Sequence, residues 1–174
     1  DTETGGPNPS YPLLQISGAI ELDWNVKEKF NFFLRPYPDD LEITQEATDK
    51  HGITSEIIQN NPNKFLDPGI IYNKFIAMLD KYVNKFDKTD KFHMVGFNVI
   101  GFDDPVMRRF FQRNENKYFG AYFWYPPIDV MAIYGADWAP YRNKFPNFQL
   151  LTVAKSAGIT VDETKLHDGL YDIK

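Results

Sequence analysis

The chain of 174 residues contains no cysteine. That excludes a disulfide scaffold, a thiolate zinc site and a cysteine nucleophile, and it fits the cytoplasm or another reducing intracellular compartment. Long apolar runs are also missing: the longest are a few residues, such as Ala121-Tyr-Phe-Trp-Tyr125, against the ~20 a membrane-spanning helix needs. No secretory leader pattern is visible. Positive charge is in deficit, with 19 Lys and Arg against 24 Asp and Glu, a net charge of −5. Phosphate-binding surfaces usually carry a basic excess, so on this number alone nucleic acid is a poor expectation. There is no GxSxG string, no Walker-type phosphate loop and no GxGxxG, which leaves serine hydrolysis and nucleotide-cofactor chemistry unsupported.

What is present, 43% hydrophobic and 25% charged residues, reads as one globular domain over residues 1–174. Leu13–Glu21 and Phe30–Leu34 have strand composition and a short connection, which predicts an antiparallel meander. Residues 36–67 read as loop and short helix. Asp67 followed by Pro68 predicts a helix start, and the stripe Ile71, Phe75, Met78, Leu79, Tyr82, Phe86 predicts that this helix runs to Phe86. Phe92–Phe97 is expected as a buried strand, Asp103–Arg113 as a helix, and Ala121–Tyr125 as a short strand. Helices follow around Asp129–Tyr134 and Gln149–Ala157, the latter stopped by Gly158, and Lys165–Lys174 starts a last one. Strands first and helix–strand alternation afterwards give an α/β sheet of mixed direction.

Three clusters could carry chemistry. In Asp1-Thr-Glu-Thr-Gly-Gly6 the two carboxylates stand two apart, on one face of an extended strand. In Gly96-Phe-Asn-Val-Ile-Gly-Phe-Asp103 a carboxylate follows a strand's carboxyl end, where open α/β sheets place their sites. In His167-Asp-Gly-Leu-Tyr-Asp172 a histidine precedes an aspartate by five residues. Each alone reads as a cap or a solvated loop. Together Asp1, Glu3, Asp103 and Asp172 are four hard oxygen donors suited to Mg²⁺ or Mn²⁺. Two such ions about 3.5–4 Å apart suit in-line phosphoryl displacement, with His167 placed to take a proton from the attacking water.

The order DTET, NxxxFD, HxxxxD resembles the three exonuclease motifs of the DEDDh, or DnaQ-like, 3′→5′ exonucleases of the ribonuclease H-like superfamily. His51-Gly-Ile-Thr54 resembles that family's HGI element, Ile128-Asp-Val-Met131 its IDT element, and Leu150–Ile159 the leucine-bearing helix before the last motif. The tyrosine variant has its base four residues before the last acid, where this chain has Asp168, so His167 favours the histidine subclass.

The resemblance implies a ribonuclease H-like fold, an antiparallel meander followed by parallel strands and flanked by helices. It implies two divalent ions, Mg²⁺ or Mn²⁺, on Asp1, Glu3, Asp103 and Asp172, with His167 activating water. It further implies contacts to the terminal nucleotide from Thr2, Thr4, Gly5, Asn98 and Phe102. The expected activity is 3′→5′ hydrolysis of single-stranded or frayed DNA to nucleoside monophosphates, in replication, repair or proofreading. The expected partners are DNA, RNA as the alternative substrate, and a polymerase or other attached domain, with no membrane. A same-fold exoribonuclease and a catalytically silent nucleic-acid-binding or partner-docking domain are the rival readings. Because the family has a strand before the first acid and a longer last helix, the chain is expected to be the middle of a longer polypeptide. Phe97, Tyr118, Phe119 and Trp124 are candidates for stacking on bases, and Arg108, Arg109, Arg113 and Lys117 for approaching phosphates. His93 reads as a sheet residue, and His51 as ordering its loop.

Overall fold

A computed structural model describes residues 1–162 and 171; the segment with His167 and Asp172 lies outside the described residues. The elements are β1 (Thr2–Thr4), β2 (Leu13–Leu22), β3 (Asn25–Leu34), α1 (Gln45–His51), α2 (Ser55–Asn60), β4 (Phe65–Leu66) and α3 (Pro68–Leu79). After these come β5 (Val95–Gly96), α4 (Asp103–Arg113), β6 (Ile128–Asp129), α5 (Val130–Asp137) and α6 (Leu150–Ser156). The mixed α/β architecture agrees with expectation. One sheet has the order β1-β2-β3-β4, antiparallel through β3 and parallel at β4, and β5 and β6 form a separate parallel ladder.

The hairpin between β2 and β3 turns on two residues, Asp23 and Trp24, with φ of 52° and 62°, the mirror-image turn whose twist matches paired strands. Gly18 lies opposite Phe30, and a Cβ there would sit 2.3 Å from the phenyl ring, so this position must lack a side chain. An irregularity in the β1–β2 register accommodates Leu14 as an extra residue, which re-aims the side chains around it. Leu13, Ile16 and Ile20 enter the large core with α3 and α4, whereas Leu14 joins Ile53, Ile58 and Phe65 in a smaller one beneath α1 and α2. The sheet is therefore covered on both faces.

α3 begins as predicted, with the Asp67 carboxylate accepting from Gly69 N–H at 2.9 Å and Pro68 in the first turn. It stops at Leu79 rather than Phe86, and Phe86 is 87% exposed. The cause is local: Lys81 and Tyr82 N–H bond back to Met78 and Leu79 in a tightened turn, and Asn84, Asp87 and Asp90 then bond backbone N–H groups of their own loop, competing with helix as Asn and Asp do. Two strand expectations are also corrected. Of Phe92–Phe97 only Val95–Gly96 is strand, and His93 and Val95 face solvent, so it is a half-buried edge segment. Residues 119–121 form a turn of 3₁₀ helix, and only Phe123 makes a bridge, to Phe92.

Phe111 on α4 is fully buried and meets Tyr72, Phe75, Phe119 and Tyr122 edge-on, with ring centroids 5.0–6.4 Å apart. Burial pushes the Tyr72 and Tyr122 phenols above the ordinary tyrosine value, so both stay neutral; Tyr122 donates to Asp80, and Tyr72 accepts from the Asn116 amide. Among the described residues no helix is long and apolar enough to cross a membrane. Phe111→Ala should cost about 3–5 kcal/mol, read as a lowered urea midpoint, whereas Phe86→Ala should stay within about 0.5 kcal/mol of the parent.

Candidate active site

β1 is an edge strand of its sheet. It is anchored to β2 at its start: the Asp1 nitrogen donates to Ser17 C=O at 3.0 Å, and Ser17 N–H returns a bond to Asp1 C=O. Alternation along β1 buries Thr2 and Thr4 and leaves Asp1 exposed and Glu3 half-buried, which matches the expected shared face for the two acids. The Thr2 hydroxyl donates to Asp103 Oδ1 at 2.7 Å across a sequence separation of 101 residues. The first two motifs are thereby side by side.

Asp103 opens α4 just beyond the carboxyl end of β5, and it is buried. The intervening turn is tight. Asn98 has a φ of 61°, its C=O accepts from Gly101 and Phe102 N–H, and Asp104 N–H bonds Val99 C=O. A Cβ on Gly101 would lie 2.6 Å from Asn98 Oδ1. One buried carboxylate outside the motifs pins this turn: Asp129 accepts from Asn98 N–H at 3.0 Å and Ile100 N–H at 3.2 Å, while capping α5 through Met131 and Ala132 N–H. Sequence reading placed Asp129 in the IDT-like element without a role. The available signal was an acid just before a helix, between apolar residues.

His51 gains a role as well. Its Nδ1 faces the N–H of Ile53 at 3.0 Å, and a backbone N–H can only donate. The neutral ring therefore carries its proton on Nε2, which donates to Thr4 C=O at 3.1 Å. The residue after Glu3 is thus tied to the end of α1. Beside it a cavity of about 110 Å³ is lined by Glu3, Thr4, Lys50, His51 and Phe102.

Of the expected substrate contacts, Phe102 and Thr4 line this cavity. Thr4 Oγ1 also donates to Gly6 C=O at 2.7 Å, Thr2 is engaged with Asp103, and Gly5 bonds Pro12 C=O and Thr44 N–H through its backbone. Asn98 is half-buried, with its N–H taken by Asp129. Arg113 pairs with Asp39 and Asp40 and stacks on Tyr37, so it clamps the 36–40 loop to α4 rather than facing the cavity. Arg108 gives Nε to Asp104 at 2.7 Å, and the buried Asp104 Oδ1 has no hydrogen-bond partner among the described residues.

The donor set is carboxylate oxygen throughout, which suits a hard divalent ion. Among the described residues no three His, Asp or Glu side chains are grouped closely enough to hold one, and Asp172 and His167 lie outside them. Removing the Asp129 carboxylate should act on the turn before it acts on the core. Asp129→Ala is expected to cost about 1–3 kcal/mol from the lost cap and paired N–H groups, and hydrogen exchange should accelerate at the Asn98 and Ile100 amides.

No family model matches the sequence, and no curated protein matches it. Solved structures do. E. coli Exonuclease I in complex with a dT13 oligonucleotide superposes with a TM-score of 0.75 at 23% identity, covering 99% of this chain and 37% of that one. The same enzyme with a dA16 oligonucleotide gives 0.73 at 23%, again covering 99% and 37%. A product-bound structure of exonuclease I gives 0.73 at 21%, with 99% and 40% covered. The chain spans little more than a third of those proteins, and what it shares with them is the fold of that region.

Proposed function

We propose that the chain is a metal-dependent 3′→5′ exonuclease that shortens single-stranded or frayed DNA and releases nucleoside monophosphates. The observation that carries the reading is the Thr2–Asp103 hydrogen bond, which sets the DTET strand against the NxxxFD turn. Support comes from the fold shared with an exonuclease crystallised on oligonucleotides. Asp1, Glu3, Asp103 and Asp172 would hold two ions, Mg²⁺ or Mn²⁺. Such ions, when bound, stabilise the attacking and leaving oxygens of the phosphodiester.

The chain's own residues supply the remainder. His167 takes the proton of the attacking water, and the cavity walls at Glu3, Thr4 and Phe102 receive the terminal nucleotide. Thr2 orients Asp103 by occupying one of its oxygens, and His51 and Asp129 hold the strand and the turn on which the acids stand. Fixed positions matter because a carboxylate about 1 Å out of place loses much of its effect.

The test is an assay on 3′- and 5′-labelled single-stranded DNA and RNA with Mg²⁺, Mn²⁺ or chelator. Stepwise shortening from the 3′ end is expected, abolished by chelator and reduced at least about 100-fold by Asp103→Ala or Glu3→Ala. Faster shortening of RNA would transfer the reading to an exoribonuclease. Oligonucleotide binding with no shortening under any metal would make the domain catalytically silent.

A further inference from the structure

Of the four aromatic residues open to base stacking on sequence alone, the structure separates their surroundings. Phe119 is 5% exposed and belongs to the core, and Phe97 is half-buried. Trp124 is half-buried too, and forms a cluster with the exposed His93. The His93 ring stacks on its indole, with centroids 6.2 Å apart and planes 24° from parallel, and Lys91 Nζ lies 4.9 Å from its centre. Next to it Tyr125 is 74% exposed, with the Arg108 guanidinium 5.6 Å from its ring. His93 and Trp124 meet because the backbone is paired there: Phe92 N–H donates to Tyr122 C=O, and Trp124 N–H donates to Phe92 C=O.

The cluster is set back from the acids along two elements. Arg108 stands five residues beyond Asp103 on α4, about 7.5 Å along the helix axis. His93 lies two residues before β5 begins at Val95, whereas Asp103 follows that strand's carboxyl end. The Lys91 charge makes no ion pair among the described residues, whereas Arg108 is ion-paired with Asp104 and lies over the buried Phe119 ring.

We infer that Lys91, His93 and Trp124 form a stacking platform for single-stranded nucleic acid, engaging nucleotides upstream of the 3′ end held at the acids. The inference rests on the nuclease reading and specifies where its substrate strand runs. Every base offers a π-face and every linkage a phosphate, so interleaved rings and cations take a single strand without reading its sequence. The surface presents rings and a positive charge side by side, the pairing that suits bases and phosphates.

The experiment measures binding and turnover of oligothymidylates of increasing length by the parent protein and by Trp124→Ala, Trp124→Phe and Lys91→Glu. Phe86→Ala, an exposed aromatic beyond α3, serves as the control. Trp124→Ala should raise Kd and KM roughly 10-fold on long strands, with the loss falling on KM rather than kcat and growing with length. Trp124→Phe should restore most of the binding, and Lys91→Glu should weaken it while flattening the salt dependence. Phe86→Ala should match the parent. Quenching of tryptophan fluorescence by the strand should disappear in Trp124→Phe.

Shortening by the parent, together with parental binding in Trp124→Ala and Lys91→Glu, overturns the platform and leaves the nuclease reading standing. Failure of the parent to bind or shorten any strand with either metal overturns both. Selective loss of long-strand binding in the platform variants, whose thermal midpoints match the parent, supports the platform even where turnover is absent.

Discussion

A single buried carboxylate, that of Asp129, carries the arrangement on which the rest of the site depends. It accepts two N–H groups from the turn after β5 and two from the first turn of α5, so backbone donors replace the water it lost on burial. The turn it holds contains Asn98 at positive φ, a conformation that persists only where its surroundings impose it. Release of that turn would free Phe102 from the cavity wall and Asp103 from Thr2. The position of the buried acid at the head of α4 is thus an outcome of bonds made by a residue 26 positions later.

The same logic extends through the sheet. An edge strand of three residues has too little pairing to hold itself, and β1 is secured from three directions: by β2, by the Thr2–Asp103 bond, and by the His51 ring on Thr4 C=O. Two of these are side-chain bonds to elements far away in sequence. The large core under α3 and α4 determines where α4 lies, and the smaller one under α2 determines where the His51–Ile53 turn lies. Site geometry is therefore coupled to packing on both faces of the sheet. The aromatic crowd around Phe111 matters to chemistry only by setting the level at which Asp103 emerges.

Local chemistry explains what could be read without the structure. Asp67-Pro68 is a cap and first-turn pair, α4 has an unbroken apolar stripe between Val106 and Phe111, and Gly158 has the positive φ of a helix stop. The alternation that puts Asp1 and Glu3 together is equally local. What failed was non-local. The spacing of Tyr82 and Phe86 continues the α3 stripe, but spacing carries no record of Asn84, Asp87 and Asp90 bonding their own backbone. Phe92–Phe97 has strand composition, yet the number of residues that pair depends on a neighbour, β6, only two residues long. His51 was read as ordering its loop, and its bond to Ile53 N–H does that; its hold on Thr4 and the role of Asp129 were invisible because each bonds a backbone group more than 25 positions away.

Charge shows how a chain with a net −5 can serve a polyanion on the proposed reading. Four of those charges would sit in one metal site, leaving a single net negative charge for everything else. Empty, that site repels phosphate, because neighbouring carboxylates have nothing to balance them. Affinity must then come first from elsewhere. Lys91, beside the His93–Trp124 pair, offers a cation with no ion pair among the described residues. The two surfaces can therefore divide the work, one holding the strand without metal and the other taking its end only when metal is present.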